Sequence, residues 1–146
     1  MNKVRADFYK RGKEKGYNFA TYISPYAFVD KNAKIGENSF VFEDNTIQYN
    51  AKIGTSVVLW SGNHIGHSAK IDDNCFISSH VVVSGYCEIG KNSFAGVNST
   101  FGNNISVAEE TLVAAGAVIT KSIELPGGVY AGNPAQRRSK AAIDCL

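Results

Sequence analysis

The stretch IGHSAKIDDNCFISSHVVVSGYCEIG, residues 65–90, carries an aliphatic residue at every sixth position: Ile65, Ile71, Ile77, Val83 and Ile89. The series extends in both directions without a break. Ile23, Val29, Ile35, Val41, Ile47, Ile53 and Leu59 precede it, and Ala95, Phe101, Val107, Val113 and Ile119 follow it, so that all seventeen positions are apolar. An amphipathic helix drifts out of a six-residue phase, and a hairpin sheet does not hold one for about 100 residues. Two residues before most of these positions sits a small residue: Ala27, Ala33, Ser39, Ala51, Ala69, Cys75, Cys87, Ser93, Ser99 and Ala117. Residues i−2 and i point to the same side of an extended chain. Each hexad therefore sends one aliphatic and one small side chain inward.

This pattern predicts an all-β fold, a left-handed parallel β-helix in which three hexads form one triangular coil. It is an exception to the right-handed rule for parallel crossovers. Seventeen hexads give five to six coils, a prism roughly 25 Å tall at about 4.8 Å per coil. Gly36, Gly54, Gly90, Asn38, Asn50, Asn92 and Asn103 suit corners that call for positive φ. Three regions follow: a helical cap and linker at 1–20, the β-helix at 21–122, and a C-terminal loop and short helix at 123–146. Residues 2–15 (NKVRADFYKRGKEK) have helical composition, with Gly16 as a stop signal, and are expected to cap the bottom. Residues 135–145 (AQRRSKAAIDC) are expected to form a short helix at the top.

Residues eighteen apart stack, so the outward positions form three columns. Tyr22, Phe40, Val58, Phe76, Phe94 and Leu112 make an apolar face, with Phe42 and Trp60 beside it. The second column is Phe28, Thr46, His64, Val82, Thr100 and Val118, and the third, Lys34, Lys52, Lys70, Glu88 and Ser106, is solvated. Soluble monomers avoid a long apolar stripe. Three parallel prisms packed around a threefold axis would cover it, which predicts a homotrimer.

Composition narrows the functions. With 15 basic and 13 acidic residues the net charge is +2, which gives no reason to expect nucleic acid or an anionic membrane. Cys75, Cys87 and Cys145 are an odd number without metal-ligand spacing, as in a reducing compartment. No stretch has the length and apolarity of a membrane span, and MNKVRADFYK lacks the apolar run of a signal peptide. A cytoplasmic protein is expected.

The hexad ladder, the stretches NHIGHSAKIDDNCFIS and SGYCEIGKNSFAGVNS, and the GNPA of Gly132–Ala135 resemble the sialic acid O-acetyltransferase (NeuD-like) type of sugar O-/N-acyltransferase, within the hexapeptide-repeat superfamily. The resemblance spans about Val4 to Arg137. It implies a trimeric enzyme that uses acetyl-CoA, with active sites between neighbouring subunits and a sugar-type acceptor. The family's catalytic histidine matches His67. A glycine one coil later, whose amide meets the thioester oxygen, matches Gly85. The positions that hold the CoA arm match Val97 and Ala115, near Gly96 and Gly116. Imidazole suits the removal of a proton from an amine or hydroxyl, and a backbone N–H steadies the oxyanion.

Three departures stand beside the match. The acidic residue that usually follows the histidine is Ser68 here; Asp72, Asp73 or an acid of a neighbouring chain are the alternatives for orienting the ring. The family's second histidine, nine residues on, is Phe76. Relatives also carry an N-terminal nucleotide-sugar domain, and this chain resembles them only from the linker that follows it, as a natural short form or a fragment would.

His64 and His80 are expected in the groove wall that binds the acceptor, with His64 as the fallback base. Lys121, Arg137 and Arg138 are candidates for the CoA phosphates. Asn63, at an inward position, either bonds to neighbouring backbone or orients a histidine. No metal site is expected. Two other classes fit the same prism: a zinc-dependent hydratase like the carbonic anhydrases, whose histidine spacing is not that of His64, His67 and His80, and a non-catalytic scaffold, for which no column supplies a regular threonine ladder.

Overall fold

The computed structural model describes residues 2–142. All seventeen periodic positions fall on the second residue of a two-residue strand, from β1 (Tyr22–Ile23) to β17 (Val118–Ile119). The strands stack in parallel with an eighteen-residue register: Tyr22 lies opposite Phe40, then Val58, Phe76, Phe94 and Leu112. The result is a left-handed parallel β-helix with three flat faces. The ladder hydrogen bonds run along the prism axis, as where the Phe40 amide donates to Val57 O at 2.8 Å and the Phe42 amide to Leu59 O at 3.0 Å.

The periodic aliphatics fill the prism. Val41, Ile47, Leu59, Ile65, Ile71, Ile77 and Val83 are fully buried, alongside the small Ser39, Ala51, Ala69, Cys75 and Cys87. Each large side chain contributes about 1.5–3 kcal/mol on leaving water. Two inward positions hold asparagine, and both are paired with backbone. Asn45 Nδ2 donates to Phe42 O and Trp60 O at 2.9 and 2.7 Å. Asn63 Nδ2 donates to Trp60 O at 2.6 Å while its Oδ1 accepts from the Val81 amide at 2.8 Å. Asn63 thus serves the ladder and orients no histidine.

Left-handed corner residues form vertical columns: Asn38, Ser56, Asn74, Asn92 and Glu110 on one corner, Asp44, Gly62, His80, Asn98 and Gly116 on the next, and Asn50, Ser68, Tyr86 and Asn104 on the third. Asn104 takes this conformation rather than Asn103. Gly36, Gly54 and Gly90 do not take it; they allow close stacking, since a Cβ on Gly36 would come within 2.7 Å of the Gly54 backbone.

The helix α1 (Asn2–Glu14) forms where the sequence places it, and Gly16 follows with φ 83°. It docks along a corner instead of across the base. Asn2 Nδ2 donates to Ser93 O at 2.9 Å, Lys3 pairs with Glu110 at 2.8 Å, the Arg5 guanidinium donates to Ser56 O, and the Tyr9 hydroxyl donates to Glu37. These contacts run down the prism from the coil of Glu110 to that of Glu37. The reason is the helix stripe Asn2–Arg5–Tyr9, which offers donors to corner carbonyls and carboxylates and no apolar surface to the base. Ile23 in the bottom coil stays 44% exposed.

The expected C-terminal helix is replaced by a hairpin. β18 (Gly128–Ala131) continues the first sheet beside the sixteenth strand, with Leu112 opposite Val129, and β19 (Gln136–Ala141) pairs antiparallel with β18. An open strand edge at the top of the prism outweighs the helical preference of QRRSKA. Cys145 and the last residues of the expected helix lie outside the described residues. Between the two strands, the GNPA segment closes the second face: the Val118 amide donates to Gly132 O at 3.0 Å and the Ala135 amide to Val118 O at 2.8 Å.

Candidate active site

The site is built at the corner where the second face turns into the third. The eighth strand, His64–Ile65, ends there, and Gly66, His67 and Ser68 make the turn. The His67 side chain is exposed. Its amide donates to Gln48 Oε1 at 3.0 Å, and its carbonyl accepts from the Tyr86 amide at 3.0 Å. One coil above, Gly85 makes room for the imidazole. A Cβ there would lie 2.6 Å from His67 Cε1 and 2.7 Å from Nε2. The ring also meets the Tyr86 ring at right angles, with centroids 5.0 Å apart. Among the described residues the imidazole nitrogens have no hydrogen-bond partner, and the Gly85 amide N–H has no acceptor.

Neither carboxylate considered for orienting the ring reaches it. Asp73 Oδ1 accepts from the Thr55 amide at 2.8 Å, at the corner where α1 docks, and Asp72 pairs with Lys70 at 3.0 Å. Ser68 accepts from the Asn50 side-chain amide at 3.3 Å. Phe76 sits on the first face, stacked between Trp60 and Phe94. The two cysteines within the prism are poor nucleophiles, since burial pushes the Cys75 thiol up to about 12 and raises that of Cys87.

The remaining candidates divide between two corners of one prism. Lys121 belongs to the His67 column three coils up, exposed beside a shallow cavity of about 260 Å³ lined by Tyr130, Pro134 and Gln136. His80, Val97 and Ala115 stand at the neighbouring corner. There the His80 imidazole lies over Gly62, where a Cβ would come within 2.5 Å of Nδ1. The amides of Val97 and Ala115 have no acceptor among the described residues, and Val97 borders an apolar recess of about 200 Å³ with Trp60, Phe76, Ser78 and Ser79. His64 lies between the two corners, on the second face, flanked by Thr46 and Val82. No group of three His, Cys, Asp or Glu side chains among the described residues is placed to hold a metal ion. Sequence reasoning missed Gln48 and Tyr86 as neighbours of His67. Tyr86 had a readable signal, being a bulky residue in a column otherwise made of Asn and Ser.

The family model of the GMPPB C-terminal domain matches residues 18–129. The chain belongs to that family. The match covers the prism nearly end to end. A curated relative, UDP-3-O-acylglucosamine N-acyltransferase 2 of Sulfurimonas denitrificans, is 34% identical over 67 residues, which cover 42% of this chain and 21% of that protein. Among solved structures, the acetyltransferase domain of PglB from Neisseria gonorrhoeae in complex with acetyl coenzyme A is 28% identical, with a TM-score of 0.90 over 94% of this chain and 66% of that one. A single-residue mutant of perosamine N-acetyltransferase from Caulobacter crescentus, in complex with CoA and GDP-perosamine, shares the fold at 20% identity and a TM-score of 0.93, over 95% of this chain and 66% of that one. The chain thus spans about a fifth of the curated relative and just under two thirds of these two structures.

Proposed function

We propose that this chain transfers an acetyl group from acetyl-CoA to an amine or hydroxyl of a sugar, with His67 as general base. The observation that carries the reading is the His67–Gly85 pair: an exposed imidazole whose nitrogens have no hydrogen-bond partner among the described residues, seated under a backbone amide that has no acceptor among them. The acceptor's nitrogen or oxygen attacks the thioester carbonyl, and His67 takes the proton as the new bond forms. Negative charge gathers on the carbonyl oxygen, where the Gly85 N–H meets it. The C–S bond then breaks, and the CoA thiolate leaves with the proton from the imidazolium. No covalent acyl-enzyme is needed, so both substrates are bound together.

The amides of Val97 and Ala115, without an acceptor among the described residues, suit the amide-rich pantetheine arm, and Lys121 suits a phosphate. Because these two corners stand a full face apart in one prism, the reading places the groove between two copies, one supplying His67 and the other Val97 and Ala115. The uncovered aromatic face supports a homotrimer. His64 and His80 would line the acceptor side. The Neisseria domain that binds acetyl coenzyme A supports the cosubstrate, and the curated N-acyltransferase supports a nucleotide-linked sugar acceptor; a place in the sialic acid O-acetyltransferase type is proposed on the motif residues around His67 and Gly85 alone. The division at 1–20, 21–122 and 123–146 is kept, with the hairpin in the last region, and the cytoplasm is the proposed location. No helix among the described residues is long and apolar enough to cross a membrane.

The test is steady-state acetyl transfer from acetyl-CoA to a panel of amino sugars and their nucleotide conjugates. His67→Ala is expected to lower kcat by about 10²–10⁴ while leaving KM for acetyl-CoA within twofold. Full turnover in that variant would refute the base assignment.

A further inference from the structure

We propose that Tyr86 is a positioning residue that sets the plane of the His67 imidazole through its ring, in the role that an acid in place of Ser68 would fill. The inference rests on His67 acting as the base. Its starting point is a conformational outlier. Tyr86 holds φ 58°, a left-handed conformation that Asn, Asp, His and Gly tolerate and bulky side chains avoid. The positions above and below it in the same column are Asn50, Ser68 and Asn104, with φ between 54° and 59°. Such outliers persist where the surroundings hold them, often for function.

Other unfavourable corner residues have visible partners. Glu110 pairs with Lys3. Ser56 accepts the Asn38 amide on its hydroxyl at 2.8 Å and the Arg5 guanidinium on its carbonyl. Tyr86 has no burial to hold it, since it is 57% exposed, and its aromatic partner is the His67 ring, at right angles and 5.0 Å away. A perpendicular contact is one of the two favoured geometries between rings and is directional. Together with the cleared space at Gly85 it fixes the ring from two sides. The backbone bond from the Tyr86 amide to His67 O survives any substitution at 86 except proline, so a side-chain change isolates the ring.

The position therefore allows a test with opposite signs. Tyr86→Asn places a residue suited to the left-handed corner, so Tm is expected to hold or rise, while kcat falls by about tenfold to a hundredfold through misplacement of the base and KM for acetyl-CoA stays within twofold. The ring proton shifts of His67, read by NMR, move in the same variant. Tyr86→Phe keeps the edge contact and is expected to retain most of kcat and the native shifts. Unchanged kcat in Tyr86→Asn, with His67→Ala inactive, would overturn the role of Tyr86 and leave the base assignment standing. Tyr86→Phe as slow as Tyr86→Asn would overturn the ring contact as the cause. Full turnover in His67→Ala would remove the base and the positioning role together.

Discussion

The α-carbon of Gly85 lies so close above the His67 imidazole that a methyl group on it would stand 2.6 Å from Cε1. The approach is made by a side chain over bare backbone, so the ring, which can rotate, is what would yield. Gly85→Ala is expected to fold normally, with Tm within a few degrees of the parent, and to lose about tenfold or more in kcat. Kinetics and a thermal melt on the same preparation check this. A variant equally active would show that the ring does not need that space.

Asn63 is the inward asparagine whose Oδ1 takes the Val81 amide. Asn63→Ala leaves that buried N–H without an acceptor and removes one of the two amide donors to Trp60 O, the other being Asn45. The expected loss is about 1–3 kcal/mol, read as a lower urea midpoint at constant slope. An unchanged midpoint would mean that the bond carries no net stability.

The seating of α1 depends on pH through Tyr9 and Glu37. The Tyr9 hydroxyl, with Lys13 beside it, holds the Glu37 carboxyl below its ordinary range, and the same bond pushes the Tyr9 hydroxyl up to about 12. A depressed carboxylate stabilises fully above its unfolded pKa of about 4.3 and loses this as pH falls through the folded value. A raised phenol stabilises fully below its unfolded pKa of about 10 and loses this as pH rises toward the folded value. The helix is expected to hold best between these limits and to loosen in acid and in strong base. Helix ellipticity against pH measures it, and Glu37→Gln is expected to flatten the acid limb. An acid limb unaltered by that change would place the anchor elsewhere.

The aromatic face predicts an assembly effect. Phe76 stacks between Trp60 and Phe94, with ring centroids at 6.2 and 5.6 Å, on a face where Phe40 stays 42% exposed. If the chain is the proposed trimer, Phe76→Asp is expected to give a folded monomer by sedimentation and to lose acetyl transfer with it, since the proposed groove draws on two copies. A monomeric parent, or an active monomeric variant, would contradict this arrangement.

Much of the molecule is legible in one line of sequence because a single periodicity governs it. Once Ile65 and Val83 are placed inward and eighteen apart, the stacking of His67 under Gly85 follows without further information. What escaped depends on contacts the period does not encode. The seat of α1 is decided by Asn2, Arg5 and Tyr9 reaching corner groups of distant coils, and composition says helix without saying where. The strand at Gln136–Ala141 exists because β18 offers an edge, a tertiary demand that outweighs local preference. Gln48 is nineteen residues from His67, one step off the stacking register, and no periodic reading would have joined them.

With α1 lying alongside the prism, the described residues leave the lowest coil uncovered, and Tyr22, Ile23 and Phe28 are exposed. Solenoids hold together by nearest-neighbour contacts, so the chain is expected to unlay like a rope from this end. Amide exchange is expected to be fastest around residues 22–35 and to slow toward the middle coils, which would leave the rung bearing His67 well inside the protected stretch.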